Sequence, residues 1–438
     1  MTQAGPNPAA SRHPYHADML SVEDARERIL SHFSVLPPEE RPLVDALGMT
    51  LAEDLQAPFD VPSLANSAMD GYAVRSQDVA KASEQSPVRL AVIATVAAGQ
   101  LPDIPLKPGT AIRIMTGAPV PQSADAVVPF EDTDEQERRT RGESLDTVFV
   151  RVRPGKWANI RPAGEDIRAG ALILKKGTTL RPGEIGVAAS LGRKSVKVIR
   201  RPVVAIVSTG DELLEPGEPH QSGKIYNSNA YSVASAVLKY GGVPKVVGIA
   251  RDTAESLQAA LDKAMAADMV VTSAGVSKGD YDVVKDVLSR RGKIALWSVR
   301  MRPAKPLAFG SLDAPDGRKV PLLGLPGNPV SAMVAFEQFG RPAVHLMMGR
   351  KPLPKPTVTA VLDDPITNHD GRRVYARVIV YRDASGAYRA RTTGTQSSGA
   401  LTSLAAANGL AICPEDLALM NAGATATVEM LDWPEEVF

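Results

Sequence analysis

The stretch Val270–Asp282, VVTSAGVSKGDYD, decides how the middle of this chain folds. Met269, Val270 and Val271 form an apolar run that reads as a buried parallel strand. The run breaks into small residues and glycines, Ser273, Ala274, Gly275, Ser277 and Gly279, before a helix opens at Asp280. Backbone that approaches a ligand closely needs residues without bulky side chains, and the free N–H groups of a helix start attract anions. Asp280 therefore has two readings. It caps the helix, as Asp commonly does, or it helps hold a metal beside a phosphate.

The same unit recurs on both sides. From Arg201 to Gly349 the strand VVAIVS leads to the helix NSNAYSVASAVLKY, then VPKVVGIA to TAESLQAALDKAMA, and DMVVTS to YDVVKDVLSRRG. The strands KIALWSV and VPLLGL and the helix VSAMVAFEQF complete the segment. This rhythm predicts an α/β domain with a doubly wound parallel sheet, on which ligands sit at the C-terminal ends of the strands. The loops at those ends are VSTGDEL with Asp211 and Glu212, GIARD with Asp252, AGVSKGD with Asp280, RMRPAKP with Arg302 and Lys305, and GLPGNP. Carboxylates after three successive strands repel one another unless a cation joins them, and Mg²⁺ suits oxygen ligands. Arg302 and Lys305 suit an oxyanion. Singly, each feature has an ordinary explanation. Asn328-Pro329 is a helix cap followed by proline in the first turn, Asp252 can end a strand in a turn, and Arg302 and Lys305 can be surface charges. Together they point to an anion or nucleotide site with a divalent cation.

The flanking segments differ in character. Residues 1–16 show no periodic order and read as a disordered tail, and Ser21 opens a helix whose apolar face is Val22, Ala25, Ile29 and Phe33. Leu51 to Val152 consists of short apolar runs punctuated by Pro and Gly, the pattern of a small β-rich domain. The charged stretch Asp132–Asp146 within it reads as a solvated hairpin or loop. After the proline-rich Lys351–Pro356, the runs TVTAVL, VYARVIVYRD, AYRARTTG and ATATVEML predict a closing β domain. Lys and Arg number 50 against 49 Asp and Glu, so nothing suggests nucleic acid or a membrane surface as partner. The pairs Arg138-Arg139, Arg200-Arg201 and Arg290-Arg291 read as solvated surface. Cys413 is the only cysteine, which excludes an internal disulfide. With no signal-peptide pattern and no membrane-length apolar run, the expected location is the cytoplasm.

Beyond these signals, SAMDGYAV (Ser67–Val74), RIMTGAPVP (Arg113–Pro121), ADAVVPFE (Ala124–Glu131) and NIRPAGEDI (Asn159–Ile167) precede STGDEL, GVSKGDYD, MRPAKP and GLPGNPVSA, with SSGALTSLAAANGLAICPE (Ser397–Glu415) downstream. In this order they resemble the molybdopterin molybdotransferases, the MoeA family that includes the E domain of gephyrin. The resemblance implies a cytoplasmic homodimer of four domains. Domain I is split between residues 17–50 and 153–190, domain II at 51–152 is β-rich, domain III at 191–349 is similar to the molybdopterin adenylyltransferases, and domain IV at 350–438 is a β barrel. The implied reaction takes adenylylated molybdopterin and molybdate with Mg²⁺ and releases molybdenum cofactor and AMP. A tungstate-inserting paralogue or a non-catalytic scaffold would share the fold. Molybdopterin adenylyltransferase and molybdoenzyme acceptors are the implied partners. Carried over by motif, catalytic roles fall on Asp70, Thr116, Asp166, Glu212, Asp252 and Asp280. Glu212, Asp252 and Asp280 would hold the metal, and Ser273, Gly275, Ser277, Arg302, Lys305, Pro326 and Pro329 the substrates. Three positions depart from the family's usual pattern: RPAKP replaces KPGKP, Ala274 replaces a Gly, and Asn227 stands where Asp is common.

Overall fold

The computed structural model describes residues 19–273, 287, 290–351 and 353–433. Residues 40–47 and 51–197 form one compact unit, and the rest of the described chain forms another.

In the larger unit six strands build one sheet: β1 (Val203–Thr209), β2 (Val243–Ala250), β3 (Met269–Ser273), β4 (Gly292–Ser298), β5 (Pro306–Asp313) and β6 (Lys319–Leu325), in the order β2-β1-β3-β6-β5-β4. The first four in that order are mutually parallel. Side chains alternate across a strand, and here both faces are covered. Val204 and Ile206 pack with helix α1 (Ser228–Lys239), whereas Ala205 and Val207 pack with helix α2 (Ala254–Ala264). Burial on both sides is why VVAIVS reads as an unbroken apolar run. The helix Val22–Leu30 joins the α1 face through Val22, Ala25 and Ile29, and the Ser21 hydroxyl accepts from the Asp24 amide at 2.9 Å, as its capping pattern predicts.

The sheet is mixed rather than parallel throughout. β5, the segment PLAFGSLD, runs antiparallel to both β4 and β6. Its apolar residues lie in the gap between two recognised strands, and a tight turn joins it to β6. There Asp316 accepts from the Arg318 amide at 3.1 Å and Gly317 takes φ +83°. A turn this short joins only antiparallel neighbours. β4 still runs with β6, so its C-terminal end stays on the edge shared by the parallel strands.

The second sheet of this unit closes on itself. Arg373–Arg382, Tyr388–Thr392, Thr357–Leu362, Thr425–Met430 and Gly409–Cys413 pair in sequence, and the last pairs back to the first through Val374 and Cys413. Closure leaves this ring of strands without open edges. Val358, Ala360, Val378, Ala411 and Val428 are among the residues in its core. The short strand Met301–Arg302 pairs with Arg373–Val374 and fastens the RMRPAKP loop to the barrel.

The smaller unit holds a five-stranded sheet ordered Ala126–Pro129, Gly71–Val74, Thr110–Ile114, Val88–Val96 and Thr147–Val150. A Cβ on Gly71 would lie 2.0 Å from the Val128 carbonyl oxygen, so MDGY admits no side chain there. The expected solvated loop at 132–146 contains instead the helix Glu135–Thr140. Glu135 is buried and takes hydrogen bonds from Tyr72 Oη (2.5 Å), Arg113 Nη2 (2.9 Å) and Arg139 Nε (2.7 Å). A buried acid matched by an arginine from a neighbouring strand looks in sequence like one more surface charge. The arginine pairs likewise make ion pairs: Arg139 with Glu135, Arg200 with Asp268 at 2.5 Å, and Arg291 with Asp262.

Candidate functional site

Strand register aligns the loops of the α/β sheet. Thr209 lies opposite Ala250, Ser208 opposite Ser273, and Ser273 opposite Leu325. The loops after β1, β2 and β6 therefore leave the sheet side by side. Gly210 has φ +145°, and a Cβ there would lie 2.4 Å from Glu212 Oε2, so the Glu212 carboxylate folds onto a position only glycine leaves open. The Asp211 amide donates to Asp252 Oδ2 at 3.2 Å, and the Asp252 amide donates to Asp211 Oδ1 at 3.4 Å. This reciprocal clasp ties the first two acidic loops together through backbone amides rather than through a shared cation. Asp252 is thus a structural acceptor as well as an exposed carboxylate.

Asn229, which sequence reasoning missed, joins further loops. Its Nδ2 donates to Ser273 Oγ and to the Gly327 carbonyl, both at 2.7 Å. Ser273 is buried, and Pro326 and Pro329 flank the turn bearing Gly327. Asparagine in a helix's first turn is too common to single Asn229 out in sequence. Its neighbour Asn227 is the cap itself: Oδ1 accepts from the Ala230 amide at 3.4 Å and from Ser208 Oγ at 2.8 Å, while Nδ2 donates to Glu215 Oε1 at 3.3 Å. Asn328 stands at a cap position with Pro329 in the first turn, but its side chain makes no capping bond.

Gly275, Ser277 and Asp280 lie outside the described residues. Glu212 and Asp252 are hard oxygen donors of the kind Mg²⁺ takes. Among the described residues, no three acidic, histidine or cysteine side chains converge on a cation-sized site. These two donors fit Mg²⁺ in kind, and two carboxylates are fewer oxygen donors than the ion takes.

Where the RMRPAKP loop meets the barrel, a cleft of about 530 Å³ opens, lined by Arg302, Lys305, Ser331, His369, Arg372, Arg377, Gln396 and Ser398, among others. Arg302 donates through Nη2 to the Thr367 carbonyl. Arg372 donates to the Met301 carbonyl at 3.2 Å and pairs with Asp370. Arg377, only 1% exposed, has neutral partners: Ser403 Oγ (3.1 Å) and the carbonyls of Thr395 (3.2 Å) and Ser397 (3.0 Å). Desolvation lowers the pKa of this guanidinium. A buried cation without a carboxylate partner among the described residues favours an incoming anion. Arg302 and Lys305 therefore do come together, and Arg372 and Arg377 add two cations that sequence reasoning left unmarked. Arg377 sits in the strand Arg373–Arg382, whose residues read as barrel wall, and Arg372 immediately precedes it.

The smaller unit holds a separate pair. The Thr116 amide and Oγ1 donate to Asp70 Oδ1 at 2.7 and 2.9 Å. These bonds, with a weaker contribution from Arg113, lower the Asp70 pKa against a small desolvation cost. An exposed carboxylate is thereby held ionised and oriented. Asp166 is exposed on another turn, its amide bonded to the Val61 carbonyl at 3.1 Å.

Family models match most of the chain. Residues 20–192 match the MoeA N-terminal region (domain I and II), 205–346 the probable molybdopterin binding domain, and 359–431 the MoeA C-terminal region (domain IV). Molybdopterin molybdenumtransferase 2 of Mycobacterium tuberculosis is 38% identical over 412 residues, 92% of this chain and 98% of that one. The chain belongs to the MoeA family. As a member it is a transferase enzyme. The molybdopterin molybdenumtransferase of Nostoc sp. is 36% identical over 96% of this chain and 95% of its own length. The crystal structure of the molybdopterin biosynthesis MoeA protein from Pyrococcus horikoshii matches with a TM-score of 0.79 at 32% identity, covering 95% of this chain and all (100%) of that one. Against the family's KPGKP pattern, Ala304 sits at φ +76°, the left-handed region that a glycine enters freely. At this position the chain carries an alanine in a conformation that costs a side chain strain.

Proposed function

We propose that this MoeA-family chain inserts molybdenum into molybdopterin, taking adenylylated molybdopterin and molybdate and releasing molybdenum cofactor and AMP. The observation that carries the reading is the cleft containing Arg377, Arg302 and Lys305. Molybdate is a tetrahedral dianion, and such a ligand needs converging cations and hydroxyl or backbone donors. Ser331, Ser398 and Gln396 supply polar groups on the same walls.

Breaking the phosphoanhydride requires relief of negative charge on its oxygens. Mg²⁺, held by Glu212, Asp252 and Asp280, would supply that relief. Asn229 fixes the Ser273 hydroxyl and the GLPGNP turn relative to one another, so that loop donors meet the substrate with little rearrangement. Gly275, Ser277, Pro326 and Pro329 would shape the same loops. Asp70, kept as a carboxylate by Thr116, would orient a polar group of the substrate, and Asp166 is the remaining acid assigned by motif.

The proposed assembly is a cytoplasmic homodimer of four-domain subunits with domain boundaries as set out above. Its partners would be the adenylyltransferase that makes its substrate and the molybdoenzymes that accept its product. Incubation with adenylylated molybdopterin, Mg²⁺ and molybdate tests the reading through AMP release accompanied by cofactor formation. Absence of AMP release from folded protein would overturn it.

A further inference from the structure

Trp157 lies in the loop that precedes NIRPAGEDI, in the smaller unit. It has φ +66°, a region that bulky side chains occupy only under strain, and Asn159 two residues on has φ +54°. Burial does not offset that strain, because Trp157 is 59% exposed. The backbone around it is nevertheless fixed. The Trp157 amide donates to the Asp125 carbonyl at 2.6 Å, the Val127 amide to the Ala158 carbonyl at 3.0 Å, and Asn159 Nδ2 to the Val127 carbonyl at 2.9 Å. A rigid loop in a costly conformation thus presents a large flat ring to solvent.

The location of the loop is informative. The Ala68 amide donates to the Asn159 carbonyl at 2.9 Å, and the Gly117 amide donates to the Ser67 carbonyl at 2.8 Å. Ser67–Asp70 is therefore held on one side by the Trp157 loop and on the other by the turn bearing Thr116, which orients Asp70. The loop that carries the ring and the turn that orients the carboxylate are thus both hydrogen-bonded to this one segment. An exposed indole, on a loop bonded to the segment that carries an oriented carboxylate, suits a planar heterocycle with polar edge groups: the ring stacks and the acid accepts from an N–H.

We propose that Trp157 is the stacking surface for a heteroaromatic ring of the substrate, either the pterin or the adenine of adenylylated molybdopterin. This rests on the function proposed above. The test uses Trp157→Gly and Trp157→Phe in the full-length protein. Glycine adopts φ +66° freely, so Trp157→Gly should melt at the same or a higher temperature than the parent protein. Its KM for the adenylylated pterin should rise on the order of tenfold or more, with kcat little changed. Trp157→Phe should restore most of the affinity. An unchanged KM in Trp157→Gly overturns the proposal, and so does a lower melting temperature with no rescue by Phe. So does a shift from dimer to monomer at unchanged KM, which would mean that a second copy covers the ring. Calorimetric titration with AMP and with a free pterin separates this proposal from the reaction on which it rests. Even if no turnover occurs, weaker binding of one ring by Trp157→Gly supports stacking and identifies the ring. Equal binding of both rings by all three proteins contradicts it.

Discussion

Arg377 and Asn227 show what single residues contribute and how much of it sequence discloses. Both are buried polar groups, and only their partners reveal why they are tolerated. Arg377 meets carbonyls and a hydroxyl and borders a cleft with Arg302 and Lys305. Removing either of those two charges, in Arg302→Ala or Lys305→Ala, should raise the molybdate concentration for half-maximal rate roughly tenfold or more, the worth of one charge-assisted hydrogen bond. KM for the adenylylated pterin should change much less. An unchanged molybdate dependence in both variants would remove the cleft from the reaction. Asn227 uses both ends of its amide, so Asn227→Asp keeps the cap but sets a second carboxylate 3.3 Å from Glu215 Oε1 in place of a donor. Urea unfolding should register a loss of about 1–3 kcal/mol. No loss would mean that the Glu215 contact is not formed in solution. The acids of GDEL and GIARD were legible because charged residues at strand ends stand out. Asn229 and Arg377 were not, because their roles depend on residues 44 positions and about 20 positions away.

At the scale of elements, the parallel core was readable and the hairpin was not. β1, β3 and β6 are buried on both faces and appear as apolar runs, but β5 is flanked by two prolines and looks like a continuation of the RMRPAKP loop. The barrel's Gly409–Cys413 strand was hidden in the same way, behind a motif that resembles a loop and helix. Buried polar contacts between elements were also invisible. Glu337 accepts from Tyr240 Oη at 2.8 Å and from Lys355 Nζ at 2.9 Å, and His345, in the following helix Arg341–Met347, packs edge-on against Tyr240. Burial, aided by Arg341, Arg350 and Lys355, lowers the His345 pKa from 6.5 to about 3. Between those values the unfolded chain binds a proton that the folded chain does not, so stability falls as pH drops through this window. Glu429, whose carboxyl burial raises in pKa, acts in the opposite sense below its own folded pKa. The difference between the parent and His345→Phe isolates the histidine. From pH 7 to pH 5 the parent should lose about 2 kcal/mol more than the variant in urea unfolding. Parallel pH dependences would show that His345 is protonated in the folded protein.

For the whole molecule, motif order was the most legible signal, since family-model matches fall on the same succession of segments. The resemblance implies sites shared between two subunits, and a two-fold dimer then carries two equivalent sites, each built from both chains. Asp70→Ala and Asp280→Ala, each inactive alone, should complement when mixed. A mixed dimer would hold one doubly damaged site and one intact site. With free exchange about half the dimers are mixed, so about a quarter of the parent activity should return. Heterodimers confirmed by mass spectrometry but devoid of activity would place each site within one chain. The most direct test of the central claim is a single-turnover reaction at saturating Mg²⁺ in which released AMP and pterin-bound molybdenum are measured together at increasing molybdate. The account predicts that AMP and incorporated molybdenum rise together, one for one, and saturate with molybdate. AMP released without incorporation at every molybdate concentration, or no AMP at all, would contradict it.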